Sequence, residues 1–170
     1  MSTSESVDAQ FEQLLGQHHG IVRKVAFSYA NNESDRRDLM QEILLQLWKA
    51  FPRYSPDRRF STWVYRIALN VAISWLRRNT RPVRQTVQFD EFKHDLPHEQ
   101  SSSPELEERI AMLRQLIANC QPLDRALLLL YLDDCSYREI AAVLGLSETN
   151  VATKLSRLKQ HLGQELTTNP

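Results

Sequence analysis

Apolar residues recur along this chain at intervals of three and four nearly throughout, which is the period of a helix and not of a strand. Leu39, Met40, Ile43, Leu44, Leu47, Trp48 and Phe51 form one wide stripe of this kind, with Ser34 placed to cap the helix that carries it. Asp38, Gln41, Glu42 and Leu45 fall at i, i+3, i+4 and i+7, so they share a second face bearing an acid, an amide and one exposed leucine. Pro52 and Pro56 bracket a turn, after which Ser61 or Thr62 starts another helix. On it Val64, Ile67, Ala68, Val71 and Trp75 make a buried side, and Thr62, Arg66, Asn70, Ile73 and Arg77 run along the opposite one.

The period fails once. From Pro82 through Gln100 into Ser101, Ser102 and Ser103, polar residues mix with Pro97 and no repeat holds, which predicts a linker. The expected fold is therefore all-α, with two small helical domains, residues 1–82 and 104–170, joined by a flexible acidic linker over 83–103. Each domain lies near the lower size limit for independent folding. The second opens with Ser103 as a cap, Pro104 at the first helical position and acids in the first turn. Leu106, Ile110, Leu113, Leu116 and Ile117 are expected as its core stripe, and a further helix from Pro122 carries Leu127 to Leu130 packed on several sides.

The segment Ser136 to Leu155 reads as a helix-turn-helix. Ser136 and Glu139 have the spacing of a capping box, Ala141 is small where two helices cross, and Gly145 supplies a left-handed turn. Ser147 caps the next helix, whose Val151, Leu155 and Leu158 bury one side. Glu148, Thr149, Asn150, Thr153, Lys154 and Arg157 are then left for the edges of bases in a major groove. A plain helical hairpin with a glycine stop is the alternative reading of the same segment.

Charge sharpens the picture. The 21 basic and 21 acidic residues cancel, which taken as an average argues against nucleic acid. The charges are nonetheless segregated: residues 53–81 carry seven arginines against Asp57 alone, whereas residues 83–108 carry seven acids against Arg84 and Lys93. Tyr54, Phe60, Trp63 and Tyr65 lie among Arg53, Arg58, Arg59 and Arg66, a mixture suited to single-stranded DNA, with arginine on phosphate and rings on unpaired bases. The competing reading of this segment makes Phe60 and Trp63 core residues and the arginines a solvated face.

Other functions find little support. No apolar run could span a bilayer and the first ten residues lack signal-peptide character, so a cytoplasmic protein making no membrane contact is expected. Cys120 and Cys135 lack the spacing of a zinc site and are read as reduced and packed. His94 and His98 lie four apart beside acids, but in a segment without helical pattern; His18 and His19 are read as a surface or helix-edge pair. No phosphate-cradling glycine loop and no nucleophile with a base partner can be named, so no catalytic residue, metal or cofactor is expected.

Asp38-Leu39-Met40-Gln41-Glu42, then Trp48, Phe60, Ser61-Thr62-Trp63, Ile67-Ala68-Leu69-Asn70 and Arg77-Arg78, resembles region two of the extracytoplasmic-function sigma factors of bacterial RNA polymerase. The helix-turn-helix, preceded by Leu123 to Leu132, resembles their region four. The resemblance implies a promoter-recognition subunit, not an enzyme. It implies that Asp38, Gln41, Glu42 and Leu45 dock on the clamp helices of the β′ subunit of a core polymerase whose β subunit is also a partner. It further implies that Arg58, Arg59, Phe60, Trp63, Arg66, Asn70, Arg77 and Arg78 melt the −10 element and hold a flipped non-template base. Ser147, Thr149, Asn150, Thr153, Lys154 and Arg157 would enter the −35 element as duplex, and an anti-sigma protein is implied as a further partner. The chain departs from the family pattern at Ser74, where an acid is common, and in its only modestly basic recognition helix, which predicts low DNA affinity for the second domain alone. The rival classes are a conventional helix-turn-helix regulator that binds an operator without polymerase, and a helical adaptor that does not bind DNA.

Overall fold

The computed structural model describes residues 2–79 and 103–168, with side chains over 7–79 and 103–167. The proposed linker, with His94 and His98, lies outside the described residues apart from Ser103. Three helices make the N-terminal part: α1 (Ser2–Tyr29), α2 (Glu33–Ala50) and α3 (Phe60–Asn79), with a 3-10 turn at Phe51–Arg53 between the last two. Four follow: α4 (Pro104–Asn119), α5 (Pro122–Leu132), α6 (Tyr137–Leu144) and α7 (Glu148–Thr168). The described residues contain no strand, in agreement with the all-α expectation.

Helices α1, α2 and α3 pack pairwise against one another. Their shared core is Val22, Val25 and Ala26 from α1, Leu39, Ile43 and Leu47 from α2, and Val64, Ala68, Leu69 and Ala72 from α3, all buried. Removing each of the valine, leucine and isoleucine side chains from water contributes roughly 1.5–3 kcal/mol, and each alanine less. The inward positions of α2 recur every four residues because α1 and α3 are the helices that chiefly cover it among the described residues, which leaves a seam narrower than the sequence stripe. Trp48, expected in that stripe, is 52% exposed, with its indole Nε1 donating to Asp8 at 3.3 Å. The cap of α2 also differs from expectation: Asn32, not Ser34, is extended and accepts from the Asp35 amide at 2.8 Å through its side-chain oxygen.

In the C-terminal part α5 is the central element, with Ala126, Leu127, Leu128 and Leu130 buried. α4 is capped by Ser103 with Pro104 at its start, as expected, but none of its residues is buried. Leu106 is 49% exposed and Ile110 37%, so the anticipated core stripe is only partly covered. The reason is geometric: among the described residues α4 packs chiefly on α5 and α7.

The two parts do not stand apart. α5 packs on α1 and α3, α6 packs on α3, and the buried apolar residues of both parts form one continuous cluster. Sequence periodicity gave no indication of this contact.

Candidate nucleic-acid interface

The loop between the 3-10 turn and α3 is held by aromatic packing. Phe51, Tyr54, Phe60 and Trp63 form a cluster with ring centroids 5.1–6.4 Å apart, and the Tyr54 hydroxyl donates to the Arg58 carbonyl at 2.8 Å. His18 joins it edge-on to Phe60 at 5.1 Å, with its Nδ1 2.9 Å from the Leu14 carbonyl; it is half-buried and His19 is exposed, the helix-edge placement of the pair. The cluster places the residues of the segment differently. Phe60 is buried and does not present a ring to an unpaired base, and Tyr65 is buried too. Arg53, Arg58, Arg59 and Arg66 are exposed, and Trp63 is half-buried.

Trp63 lines a cavity of about 400 Å³ together with Arg53, Ser55, Asp57, Arg58, Arg66, Ile67 and Asn70. Asn70 and Arg66, four apart on α3, are exposed at its wall. The chemistry is mixed: three guanidinium groups for phosphate, an indole for stacking, and an amide able both to donate and to accept. Asp57 adds an acceptor, held below the ordinary carboxylate value mainly by a hydrogen bond from Ser55 and its own backbone. It is a cavity residue that the sequence reading left out. The signal was available, since Asp57 is the lone acid among seven arginines.

The remaining positions divide. Asp38, Gln41 and Leu45 are exposed on α2 as expected, with Leu45 46% exposed. Glu42 is half-buried and accepts from Arg78 at 2.6 Å. A residue of the expected polymerase face thus pairs with one of the expected DNA face, while Arg77 beside it remains exposed.

In the helix-turn-helix, the Ser136 hydroxyl accepts from the Glu139 amide at 3.2 Å and the Glu139 carboxylate accepts from the Ser136 amide at 2.8 Å, a complete capping box. Gly145 sits at φ 68°, and the Leu146 amide reaches back to the Ala141 carbonyl at 3.1 Å, ending α6 and turning the chain into α7. Ser147 caps α7 by accepting from the Asn150 amide at 3.1 Å. Thr149, Asn150 and Arg157 are exposed; Lys154 is half-buried, and the Thr153 hydroxyl donates to the Thr149 carbonyl at 2.9 Å. The outward face of α7 is thus open along its first three turns.

The sequence pattern that describes Sigma-70 region 2 matches residues 14–82, and that for Sigma-70 region 4 matches residues 110–162, so the helical bundle with its basic cavity and the helix-turn-helix both fall to one family, in order. The chain belongs to the extracytoplasmic-function sigma factors of RNA polymerase. Sigma factors are transcription initiation factors and not enzymes. This sigma factor is 26% identical over 159 residues to the ECF RNA polymerase sigma factor SigE of Mycolicibacterium smegmatis, covering 89% of this chain and 60% of that one. It is 29% identical over 162 residues to the RNA polymerase sigma factor CnrH of Cupriavidus metallidurans, covering 89% and 84%. Its fold matches that of the sigma factor RpoE solved with the anti-sigma factor NepR from Bartonella quintana, with a TM-score of 0.73, 22% identity and coverage of 94% and 98%.

Among the described residues no three metal-ligating side chains come together, and no helix is long and apolar enough to cross a membrane. Cys120 and Cys135 are free and half-buried. Burial raises both thiol pKa values, that of Cys135 to about 11, so neither is a reactive thiolate at neutral pH.

Proposed function

We propose that this chain, bound to core RNA polymerase in the cytoplasm, directs initiation at a limited set of promoters. Residues 1–82 would act on the −10 element, residues 104–170 would read the −35 element, and residues 83–103 would link them. The observation that carries the reading is the cavity at the start of α3, where phosphate-binding, base-stacking and base-edge groups converge within one volume. Arg53, Arg58 and Arg66 neutralise the backbone of the non-template strand, the Trp63 indole stacks on an unpaired base, and Asn70 with Asp57 reads the edge of an extruded base. Extrusion costs a few kcal/mol, which such contacts can return.

Asp38, Gln41 and Leu45, exposed together on α2, form the surface for the β′ clamp helices, and Thr149, Asn150 and Arg157 address the −35 duplex. With Glu148 offsetting part of the positive charge of α7, the second module binds DNA weakly by itself, and tethering through polymerase supplies effective concentration. An anti-sigma protein is expected as a regulatory partner, in line with the complex in which the RpoE structure was determined.

Reconstituted transcription tests the proposal. Purified protein added to core polymerase should start specific transcripts from a library of genomic fragments. Initiation no greater than that of core polymerase alone would overturn it, and tight binding to a duplex operator without polymerase would favour a conventional regulator instead.

A further inference from the structure

A second concavity lies on the boundary between the N-terminal bundle and the helix-turn-helix part. Its volume is about 630 Å³, within the range of roughly 300–1,000 Å³ that small-molecule sites occupy. Arg58, Arg59, Trp63 and Arg66 form one wall. The other belongs to α6, through Arg138, Glu139 and Ala142. Arg59 joins the two walls by donating to Glu139 at 2.8 Å. The groove shares Asp57, Arg58, Trp63 and Arg66 with the smaller cavity on α3, and α6 adds a cation, Arg138, that has no place among the promoter contacts.

The charges in the groove are unequally committed. One carboxylate oxygen of Glu139 accepts from Arg59 and the other from the Ser136 amide and hydroxyl, each at 2.8 Å, so this acid is occupied in holding Arg59 and capping α6. Arg58, Arg66 and Arg138 are exposed; among the described residues no carboxylate pairs with Arg66 or Arg138, and Arg58 only shares the field of Asp57. Three guanidinium groups so placed suit more than one phosphate, because each can fork onto two anionic oxygens. The Trp63 indole supplies a flat apolar surface for a base. Asp57, an ionised carboxylate, can only accept, which suits a sugar hydroxyl or a base amine and repels a phosphate. Acceptor, ring and cations within one small volume are the parts of a nucleotide site.

We propose that this groove binds a free nucleoside polyphosphate, with Arg58, Arg66 and Arg138 on the phosphates, Trp63 against the base and Asp57 on a ribose hydroxyl. Arg138 distinguishes the site from the path of a DNA strand along α3, since it lies on a different helix in the other part of the chain. Ala142, exposed one turn further along α6, leaves the room that the ligand fills. The inference stands on the composition of the groove and does not require the promoter function.

Isothermal titration calorimetry of the full chain with ATP and with GTP tests the site, against tripolyphosphate and adenosine as partial ligands. One nucleotide per chain is expected, with each partial ligand about tenfold weaker or worse than the better nucleotide. Arg138→Ala should weaken nucleotide binding about fivefold or more by removing one phosphate fork. Ala142→Glu, which sets a negative charge in the exposed wall of α6, should do the same, and circular dichroism should show both variants as helical as the parent. Fluorescence anisotropy with a labelled single-stranded oligodeoxynucleotide should give Arg138→Ala the affinity of the parent. Absence of binding by either nucleotide at millimolar concentration would overturn the proposal. Tripolyphosphate binding as tightly as the nucleotides would reduce the groove to a patch for any polyanion, and full nucleotide affinity in both variants would put the ligand elsewhere. Loss of oligonucleotide affinity in step with nucleotide affinity would assign Arg138 to the strand path instead. Failure of the parent to bind the oligonucleotide at all would count against the function proposed for α3, while the calorimetry would still decide the nucleotide site.

Discussion

Arg125 is the buried charge of the described core, 8% exposed, and it bonds to backbone oxygen alone. Besides Ser28 it reaches the carbonyls of Ala118 and, at 3.4 Å, Cys120, so one side chain ties the α4–α5 turn to the end of α1. Burial lowers its pKa from the usual arginine value. Arg125→Ala should destabilise the chain by about 2–4 kcal/mol in urea unfolding, because three carbonyls lose a donor within a largely dry site. Arg125→Lys should recover only part of this, since an ammonium group cannot span three carbonyls in the plane of a guanidinium. Asn70 is the opposite case, exposed and without a structural task. Asn70→Ala should leave unfolding unchanged and impair promoter opening, read by permanganate reactivity, more than duplex binding, read by mobility shift. The two types of residue illustrate what a sequence discloses. Asn70 could be placed on an outward face by counting, whereas the part played by Arg125 depends on carbonyls as far away in the chain as Ser28.

Among the elements, α6 and its turn were the most legible because capping and left-handed turns are local chemistry. Ser136→Ala should cost about 1 kcal/mol. Gly145 has open space where a side chain would project, so the cost of Gly145→Ala, about 1–2 kcal/mol, is conformational and arises from its φ of 68°. Gly145→Asn should cost less, since asparagine tolerates that region, and ranking the three variants by thermal unfolding checks the argument. Helix α2 calls for a different measurement. Asp38→Arg with Gln41→Arg should weaken binding to core polymerase without loss of helicity, because both positions lie off the buried seam of Leu39, Ile43 and Leu47. Glu42 is a poorer probe, since its replacement also releases Arg78. The misreadings at this scale have one cause: Trp48, Leu106 and Ile110 satisfy the helical period, but period identifies an apolar face and not whether a neighbour covers it.

For the molecule as a whole, the ion pairs of Asp133 with Lys24 and of Glu139 with Arg59, which join the two parts, predict a response to acid. Burial alone would raise the pKa of Asp133, but the hydrogen bonds from Lys24 and Tyr65, with the Lys24 charge, hold it below its ordinary value. Glu139 is lowered as well, chiefly by the Ser136 amide and hydroxyl and then by Arg59. A depressed carboxylate contributes stability that is complete above its ordinary value, about 4, and lost as pH falls through the lowered one. The packing of the two parts should therefore hold near neutrality and weaken below about pH 4. Scattering across pH 3 to 7 should show expansion only at the acid end, before helicity is lost.

Helical class, the break in period after residue 82, the turn at Gly145, and the outward placement of Arg66, Asn70, Gln41 and Asn150 followed from the order of residues. Each depends on spacings of a few positions or on one residue's own backbone preference, and such information is written along the chain. The burial of Phe60 and Tyr65, the pairing of Glu42 with Arg78, the inclusion of Asp57 in the cavity, and the seating of α6 on α3 were decided by tertiary structure alone. They join groups 36, 68 and 80 residues apart, as in Glu42–Arg78, Tyr65–Asp133 and Arg59–Glu139. No local period relates such positions. Only the packing of helices, within the first bundle for Glu42–Arg78 and between the two bundles for the other pairs, brings them within bonding distance.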